Sequence, residues 1–224
     1  MNTSAIIVCA GNSSRMQGVN KILLPLGKTN VIGCTLTAFQ KCESITDIVV
    51  VCRSQDEEEI RKTADSLGIT KLHGFAQGGS TRQQSVINGL RKISPDTEMI
   101  AVHDGARPLV NPAHIEKTIK DASVFGGAVL GVPVKDTIKI VHDGLIEDTP
   151  HRPSLYITQT PQVFKRRLYF EGVDFALEHE LDFTDDCQLM EAIGVKVCMT
   201  TGDYKNIKIT TPEDLKVAEA FVGK

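Results

Sequence analysis

No apolar stretch in the 224-residue sequence approaches the roughly 20 residues that cross a membrane. The N-terminus has no basic segment, and the apolar run from Ala5 to Ala10 is too short for a secretory signal. Those two absences imply a soluble, cytoplasmic protein. Basic residues are not in excess. Lysine and arginine number 25 against 28 aspartates and glutamates, for a formal net charge of -3. That balance argues against nucleic acid and anionic membrane as partners, while leaving room for a local basic pocket. The cysteines, Cys9, Cys34, Cys42, Cys52, Cys187 and Cys198, include no C-x-x-C pair. They read as reduced thiols acting as small hydrophobes, not as a disulfide framework or a zinc site. The histidines show no H-E-x-x-H spacing, and no G-x-S-x-G elbow, internal repeat or low-complexity linker is present.

What is present is an ordinary globular balance, 41% hydrophobic and 24% charged. Such a chain buries a substantial core unaided and fits one large α/β domain or two small ones. Strands are predicted at Ala5–Ala10, Asp47–Cys52, Lys71–Phe75, Met99–His103 and Ala128–Val132. Helices are predicted between them at Val31–Lys41, Asp56–Leu67, Ser80–Ile93 and Pro112–Phe125. The third helix carries the S-x-x-Q capping-box spacing at Ser80 and Gln83. This rhythm predicts a mostly parallel sheet covered by helices on both faces. Its ligands belong at the edge where the strands end.

The rhythm breaks after Pro133. Thr137–Val141, an Asp143-Gly144 turn and a short return predict a polar hairpin that projects from the body. Helices at Lys165–Glu178 and Thr184–Ile193 and a strand at Val195–Thr200 follow. Asn206–Thr210 alternates as a strand does, which puts Asn206, Lys208 and Thr210 on one face. Thr211-Pro-Glu-Asp214 opens the last helix with an N-cap, a proline and first-turn acids.

Three loops carry candidate chemistry. The first, Gly11 to Met16 with Arg15, runs on to Asn20-Lys21. Small residues there let backbone N–H groups approach an anion, and Arg15 and Lys21 add two cations, a set suited to a triphosphate. It is neither of two common motifs. Gly27-Lys28-Thr29 mimics the end of a Walker A loop, but Ile22 stands where that motif needs glycine. The dinucleotide fingerprint is also missing, because Ser13 and Ser14 follow Gly11 where later glycines belong. The second loop is Gly78-Gly79-Ser80, with Ser85 one turn into the helix. The third is His103-Asp-Gly-Ala-Arg-Pro108. Its Asp104 suits Mg²⁺ or a ribose, and Arg107 suits a phosphate. His103 reads as a packed, hydrogen-bonded histidine. Each loop also has a plainer reading: a turn with surface cations, a helix cap, or an Asp–Arg pair holding a turn.

In this order the clusters resemble the 2-C-methyl-D-erythritol 4-phosphate cytidylyltransferase family of the non-mevalonate isoprenoid pathway. The matching segments are Ala10 to Met16, Asn20-Lys21, Gly78-Gly79 with Arg82 and Ser85, and His103 to Pro108. They continue through Val134 to Thr137, Arg152 with Gln159 to Gln162, Thr184 to Asp186, and Asn206 to Leu215. The resemblance implies a Rossmann-like nucleotidyltransferase, a three-layer α/β/α fold with a mostly parallel mixed sheet. It implies a single domain over 1–224, with a dimerisation arm at about 133–154. It implies CTP and a small sugar-alcohol phosphate as substrates, Mg²⁺ as cofactor, and a homodimer with shared active sites. Arg15, Lys21 and Lys208 become the catalytic cations. Ala10, Gly11, Gly79, Ser80, Ser85 and Asp104 become nucleotide-binding, with Asp104 near the metal. Arg107, Thr137, Arg152 and Thr160 become acceptor-binding, Thr137 and Arg152 reaching into the partner's site. Cys9, Asn20, His151 and Lys205 depart from the family's usual residues. Two alternatives are a ribitol-5-phosphate cytidylyltransferase, which shares fold and chemistry, and a CTP-binding protein without catalysis.

Overall fold

The computed structural model describes residues 1–11 and 20–222. In chain order its first half holds β1 (Thr3–Val8), β2 (Pro25–Leu26), β3 (Thr29–Asn30), α1 (Val31–Lys41), β4 (Ile45–Cys52), α2 (Ser54–Ser66), β5 (Leu72–Gln77), α3 (Arg82–Leu90) and β6 (Met99–Asp104). The second half holds α4 (Pro112–Phe125), β7 (Gly127–Pro133), β8 (Ile140–His142), β9 (Leu145–Asp148), β10 (Tyr156–Lys165), α5 (Arg166–Glu178), α6 (Asp186–Ala192), β11 (Cys198–Thr201) and α7 (Pro212–Val222).

Seven strands form one sheet in the order β11-β7-β10-β6-β1-β4-β5. Every pairing is parallel except those of β10, which runs antiparallel to both β6 and β7. From β1 the chain moves outward to β4 and β5, then returns to β6 on the other side of β1. The strand order therefore reverses between β1 and β6, and the crevice at such a switch point is where ligands bind.

Both faces of the sheet are buried, which is why β1 and β4 read as unbroken apolar runs. Ala5, Ile7, Ile48 and Val50 point to one core, with Leu36 and Phe39 of α1, Ile60 of α2 and Ile115 of α4. Ile6, Val49 and Val51 point to the other, with Val86 of α3, Tyr169 of α5 and Met190 of α6. Alternate strand residues thus feed opposite cores, as the period of two requires. This is the mostly parallel α/β/α arrangement expected from the sequence.

One strand is added to the expectations, and three of them are corrected. β10 is a central strand that the apolar pattern does not announce, because Pro161 interrupts it and proline argues against a central strand. The chain accommodates Pro161 where the β10–β7 register shifts, between Thr158 and Gln162. First, Asn206–Thr210 is not a strand. It is an extended segment whose Ile209 N–H donates to the Ala106 carbonyl (2.8 Å). Second, α3 starts at Arg82, and its cap is Thr81, whose hydroxyl accepts from Gln84 N (3.1 Å), not Ser80. Third, the first hairpin strand starts at Ile140 rather than at Thr137.

The hairpin itself is present. His142 pairs with Leu145 across a two-residue turn, and Asp143 and Gly144 both have positive φ, 49° and 80°. That is the primed turn whose twist matches a hairpin. β8 and β9 pair only with each other, and every residue from 135 to 149 is exposed.

Candidate active site

The C-terminal ends of β1 and β6 lie side by side, Val8 paired with Asp104. Three loops leave this edge and stay tied to it by backbone bonds. Cys9 N–H donates to Val51 O (2.7 Å), Gly78 N–H to Cys52 O (3.0 Å) and Gly105 N–H to Val8 O (2.9 Å). Between them opens a cleft of about 370 Å³. At Gly78 the first and second loops nearly touch: a Cβ there would lie 2.2 Å from the Cβ of Ala10. Only glycine permits that approach.

One wall is the Gly78–Thr81 turn. The buried Ser85 hydroxyl accepts from Gly79 N–H (3.0 Å) and donates to the Thr81 carbonyl (2.9 Å). Ser85 therefore shapes the turn that presents Gly79 and Ser80 to the cleft. Ala10, Gly11 and Lys21 also line the cleft, and Lys21 opens a short 3-10 turn anchored by the buried Ile22.

The floor is Asp104, almost buried at 8% exposure. Lys208 Nζ lies 2.9 Å from its carboxylate, Arg107 Nε 3.5 Å and Arg82 Nε 4.0 Å. Burial alone would raise the Asp104 pKa, but Lys208, Arg82 and Arg107 outweigh it and hold the carboxyl well below the usual range. Asp104 is therefore a fixed anion ringed by cations.

Beneath it His103 is fully buried, and that burial pushes its pKa down to about 3, so the ring is neutral. Its Nε2 faces the Arg107 carbonyl (3.3 Å), which only accepts, so Nε2 carries the proton. Nδ1 then accepts from the Thr160 hydroxyl (2.9 Å), whose oxygen accepts from Asp104 N–H (3.1 Å). Thr160 thus ties β10 to the backbone of Asp104 from behind the cleft.

Lys208 reaches the site by a route other than a shared strand face. Asn206 points inward at 1% exposure, its amide donating to Thr160 O (3.0 Å) and Gln159 Oε1 (3.2 Å). Arg107 Nη1 donates to Asn206 O (2.8 Å). These side-chain bonds, not a strand ladder, clip the segment so that Lys208 overhangs Asp104.

Eight of the sequence-derived site residues line this one cleft: Ala10, Gly11, Lys21, Gly79, Ser80, Ser85, Asp104 and Lys208. Arg107 and Thr160 lie behind Asp104. Thr137 and Arg152 do not line it. Both are exposed at the base of the hairpin, where Arg152 Nη1 donates to Lys135 O (3.2 Å). Arg15 lies outside the described residues. Lys205 turns away from the site, its ammonium 5.7 Å from the Phe221 ring centre, and His151 Nδ1 contacts Ser154 Oγ (3.3 Å).

Sequence reasoning gave no role to Arg82, which lines the cleft and bonds Asp186 (2.5 Å). Its place in the first helical turn after Gly78-Gly79 was the available signal. Among the described residues no group of three or more His, Cys, Asp or Glu side chains is arranged to hold a metal. A lone ionised carboxylate such as Asp104 fits Mg²⁺, which takes few protein ligands and fills its shell with phosphate oxygens and water. Also among the described residues, no helix is long and apolar enough to cross a membrane.

Comparison with known proteins gives the family. The family model of 2-C-methyl-D-erythritol 4-phosphate cytidylyltransferase matches residues 3–224. A protein of that name from Caldanaerobacter subterraneus is 44% identical, covering 100% of both chains. One from Syntrophotalea carbinolica is 43% identical over 99% of this chain and 97% of its own. The crystal structure of 4-diphosphocytidyl-2C-methyl-D-erythritol synthase from Anaerococcus prevotii superimposes with a TM-score of 0.88 at 32% identity, covering 99% of this chain and 96% of that one. The cytidylyltransferase from Thermus thermophilus gives 0.82 at 30%, covering 100% of both. With a family match across nearly its whole length and relatives of this closeness, the chain belongs to the 2-C-methyl-D-erythritol 4-phosphate cytidylyltransferase family.

Proposed function

We propose that this chain transfers the cytidylyl group of CTP to 2-C-methyl-D-erythritol 4-phosphate and releases pyrophosphate, a step of isoprenoid precursor synthesis. The observation that carries the reading is the cleft at the sheet's switch point, lined by Lys21, Arg82, Lys208 and Asp104 beside two glycine loops. Fixed cations and close backbone approach suit a triphosphate, and the family match supplies the base and the acceptor.

An oxygen of the acceptor phosphate attacks the α-phosphorus of CTP. The new P–O bond forms as the bond to the bridging α,β-oxygen breaks, and that oxygen leaves with pyrophosphate. The attacking phosphate is already anionic near neutral pH, so no strong general base is needed. That fits a site whose one histidine is buried and neutral. The chain's task is to bring two anions together and neutralise charge that builds on the phosphates. Lys21 and Lys208, which both line the cleft, supply this, and the reading adds Arg15 to them. Mg²⁺, held through Asp104 and the phosphates, supplies further positive charge when bound.

The acceptor side draws on a second subunit in this reading. The exposed hairpin is the dimer arm, and it carries Thr137 and Arg152 to the partner's cleft. Arg107 and Thr160 support the acceptor side from within the chain. Residues 1–224 act as one domain, in the cytoplasm, since both substrates are charged phosphates that do not cross a bilayer. Neither nucleic acid nor membrane has a part in it.

Pyrophosphate release with CTP and Mg²⁺ tests the reading. Turnover is expected with 2-C-methyl-D-erythritol 4-phosphate and strongly reduced when UTP replaces CTP, because unpaired buried polar groups penalise the wrong base. Faster turnover with ribitol 5-phosphate would reassign the acceptor. CTP binding without pyrophosphate release from either acceptor would leave only a nucleotide-binding protein.

A further inference from the structure

We infer that Arg82 is a further nucleotide-binding residue, and that Asp186 and Tyr169 are the positioning residues that hold it in the cleft. Four elements distant in sequence converge on this one cation. Arg82 opens α3 and lines the cleft next to Gly79 and Asp104. Its Nη2 donates to Asp186 Oδ2 (2.5 Å), 104 residues away at the start of α6. The other oxygen, Asp186 Oδ1, accepts from the Tyr169 hydroxyl of α5 (2.5 Å). Asp186 N–H donates to Gln162 Oε1 of β10 (3.0 Å), and Gln162 Nε2 donates to Asp185 (2.7 Å), the residue that caps α6. Both carboxylate oxygens of Asp186 and its backbone N–H are thereby fixed.

Stability alone is a poor account of this assembly. Asp186 is 2% exposed and Tyr169 1%. Taking a carboxylate out of water costs about as much as its ion pair returns, so a buried pair is weak evidence of stabilisation. What the arrangement does achieve is direction. Bonded to Asp186 through Nη2, Arg82 keeps its Nε 4.0 Å from Asp104, while Lys208 comes to 2.9 Å. The guanidinium is held against the cleft wall between the Gly78–Thr81 turn and Asp104. A planar, permanently charged group with several N–H donors suits a phosphate or hydroxyl oxygen of a bound nucleotide.

The inference rests on the CTP reading above, so its test measures CTP binding directly. Titration calorimetry of CTP with Mg²⁺ into the full-length protein, without acceptor, is paired with thermal unfolding of each variant. Arg82→Gln is expected to raise the CTP Kd about tenfold, the size of one charge-assisted hydrogen bond. Asp186→Asn is expected to raise it by a similar factor, and the double variant to be no worse than Arg82→Gln alone. Tyr169→Phe keeps the ring stacked on Phe164 at 5.2 Å and is expected to raise Kd about two- to threefold. It also serves if Asp186→Asn does not fold. Wild-type affinity in folded Asp186→Asn or Tyr169→Phe, or additive losses in the double variant, would overturn the positioning role and leave the CTP reading intact. No CTP binding by the wild-type protein would remove that reading, and this inference with it.

Discussion

Asp104 in the cleft is 8% exposed and has three cations within 4.0 Å, while Leu145 in the hairpin is 75% exposed and Ile146 65%. In the cleft, a buried carboxylate is opposed by three cations. In the hairpin, apolar groups are in water and, among the described residues, nothing covers them. A buried charge without a partner and an exposed apolar cluster are both costly, but the remedies differ. The cleft finds its remedy inside the chain, through ion pairs that span 104 residues of sequence. In the proposed reading the hairpin's remedy lies outside the chain. On that reading the nucleotide side draws on one chain, whereas the acceptor side waits for a second copy.

The largest expected effect breaks the cleft. Lys208→Ala removes an exposed ammonium whose neighbours remain, since Arg82 and Arg107 still oppose Asp104. The fold should therefore survive while kcat falls about 10² to 10³-fold, the loss seen when one preorganised charge donor is removed. Lys21→Ala should behave alike. Pyrophosphate-release kinetics beside a thermal melt settle it: a near-normal kcat in both variants would take these lysines out of the chemistry.

A smaller effect is expected from the arm. Leu145→Asp places a charge in the centre of the exposed apolar cluster. Sedimentation should show the dimer giving way to monomer. With Thr137 and Arg152 then absent from the neighbouring cleft, kcat/KM for the acceptor should fall about tenfold, the scale of one interface hot spot. The Kd for CTP should stay put. If CTP affinity fell in step with acceptor turnover, the two regions would not be separable and the contrast would fail.

The same contrast explains what was legible in the sequence. Helices α1 and α4 match the predicted bounds, because their apolar period, the proline of α4 and its Asn111 cap are local signals. The glycine loops were legible for the same reason: Gly78 answers a backbone need that only glycine meets. β10 was not, because Pro161 reads as a breaker, and only pairing with β6 and β7 makes that stretch a central strand. Lys208 lines the cleft, but not through the strand face that the sequence pattern implied. Its place comes from Asn206 bonding to β10, a contact between residues 46 apart that no local pattern encodes. Arg82 had no assigned role because what defines it, the carboxylate of Asp186, lies far along the chain.

The smallest effect sharpens the comparison at a single turn. Gly144 has φ +80° with nothing within 4 Å of an added Cβ, so Gly144→Ala meets strain without collision. An L-residue in that region costs roughly 1 to 2 kcal/mol. Spread over a cooperative unit of this size, each such kcal/mol would lower Tm by about 2 to 4 °C. No residue from 135 to 149 is buried, however, so the turn has no core contacts through which to transmit strain. The melt of the body should stay within about 1 °C, since substitutions away from core features change stability little. The strain should appear instead in the dimer, whose dissociation constant should rise about fivefold for each kcal/mol. A Tm drop of the full size with an unchanged dimer would mean that the arm unfolds with the core, and that exposure does not separate the two regions.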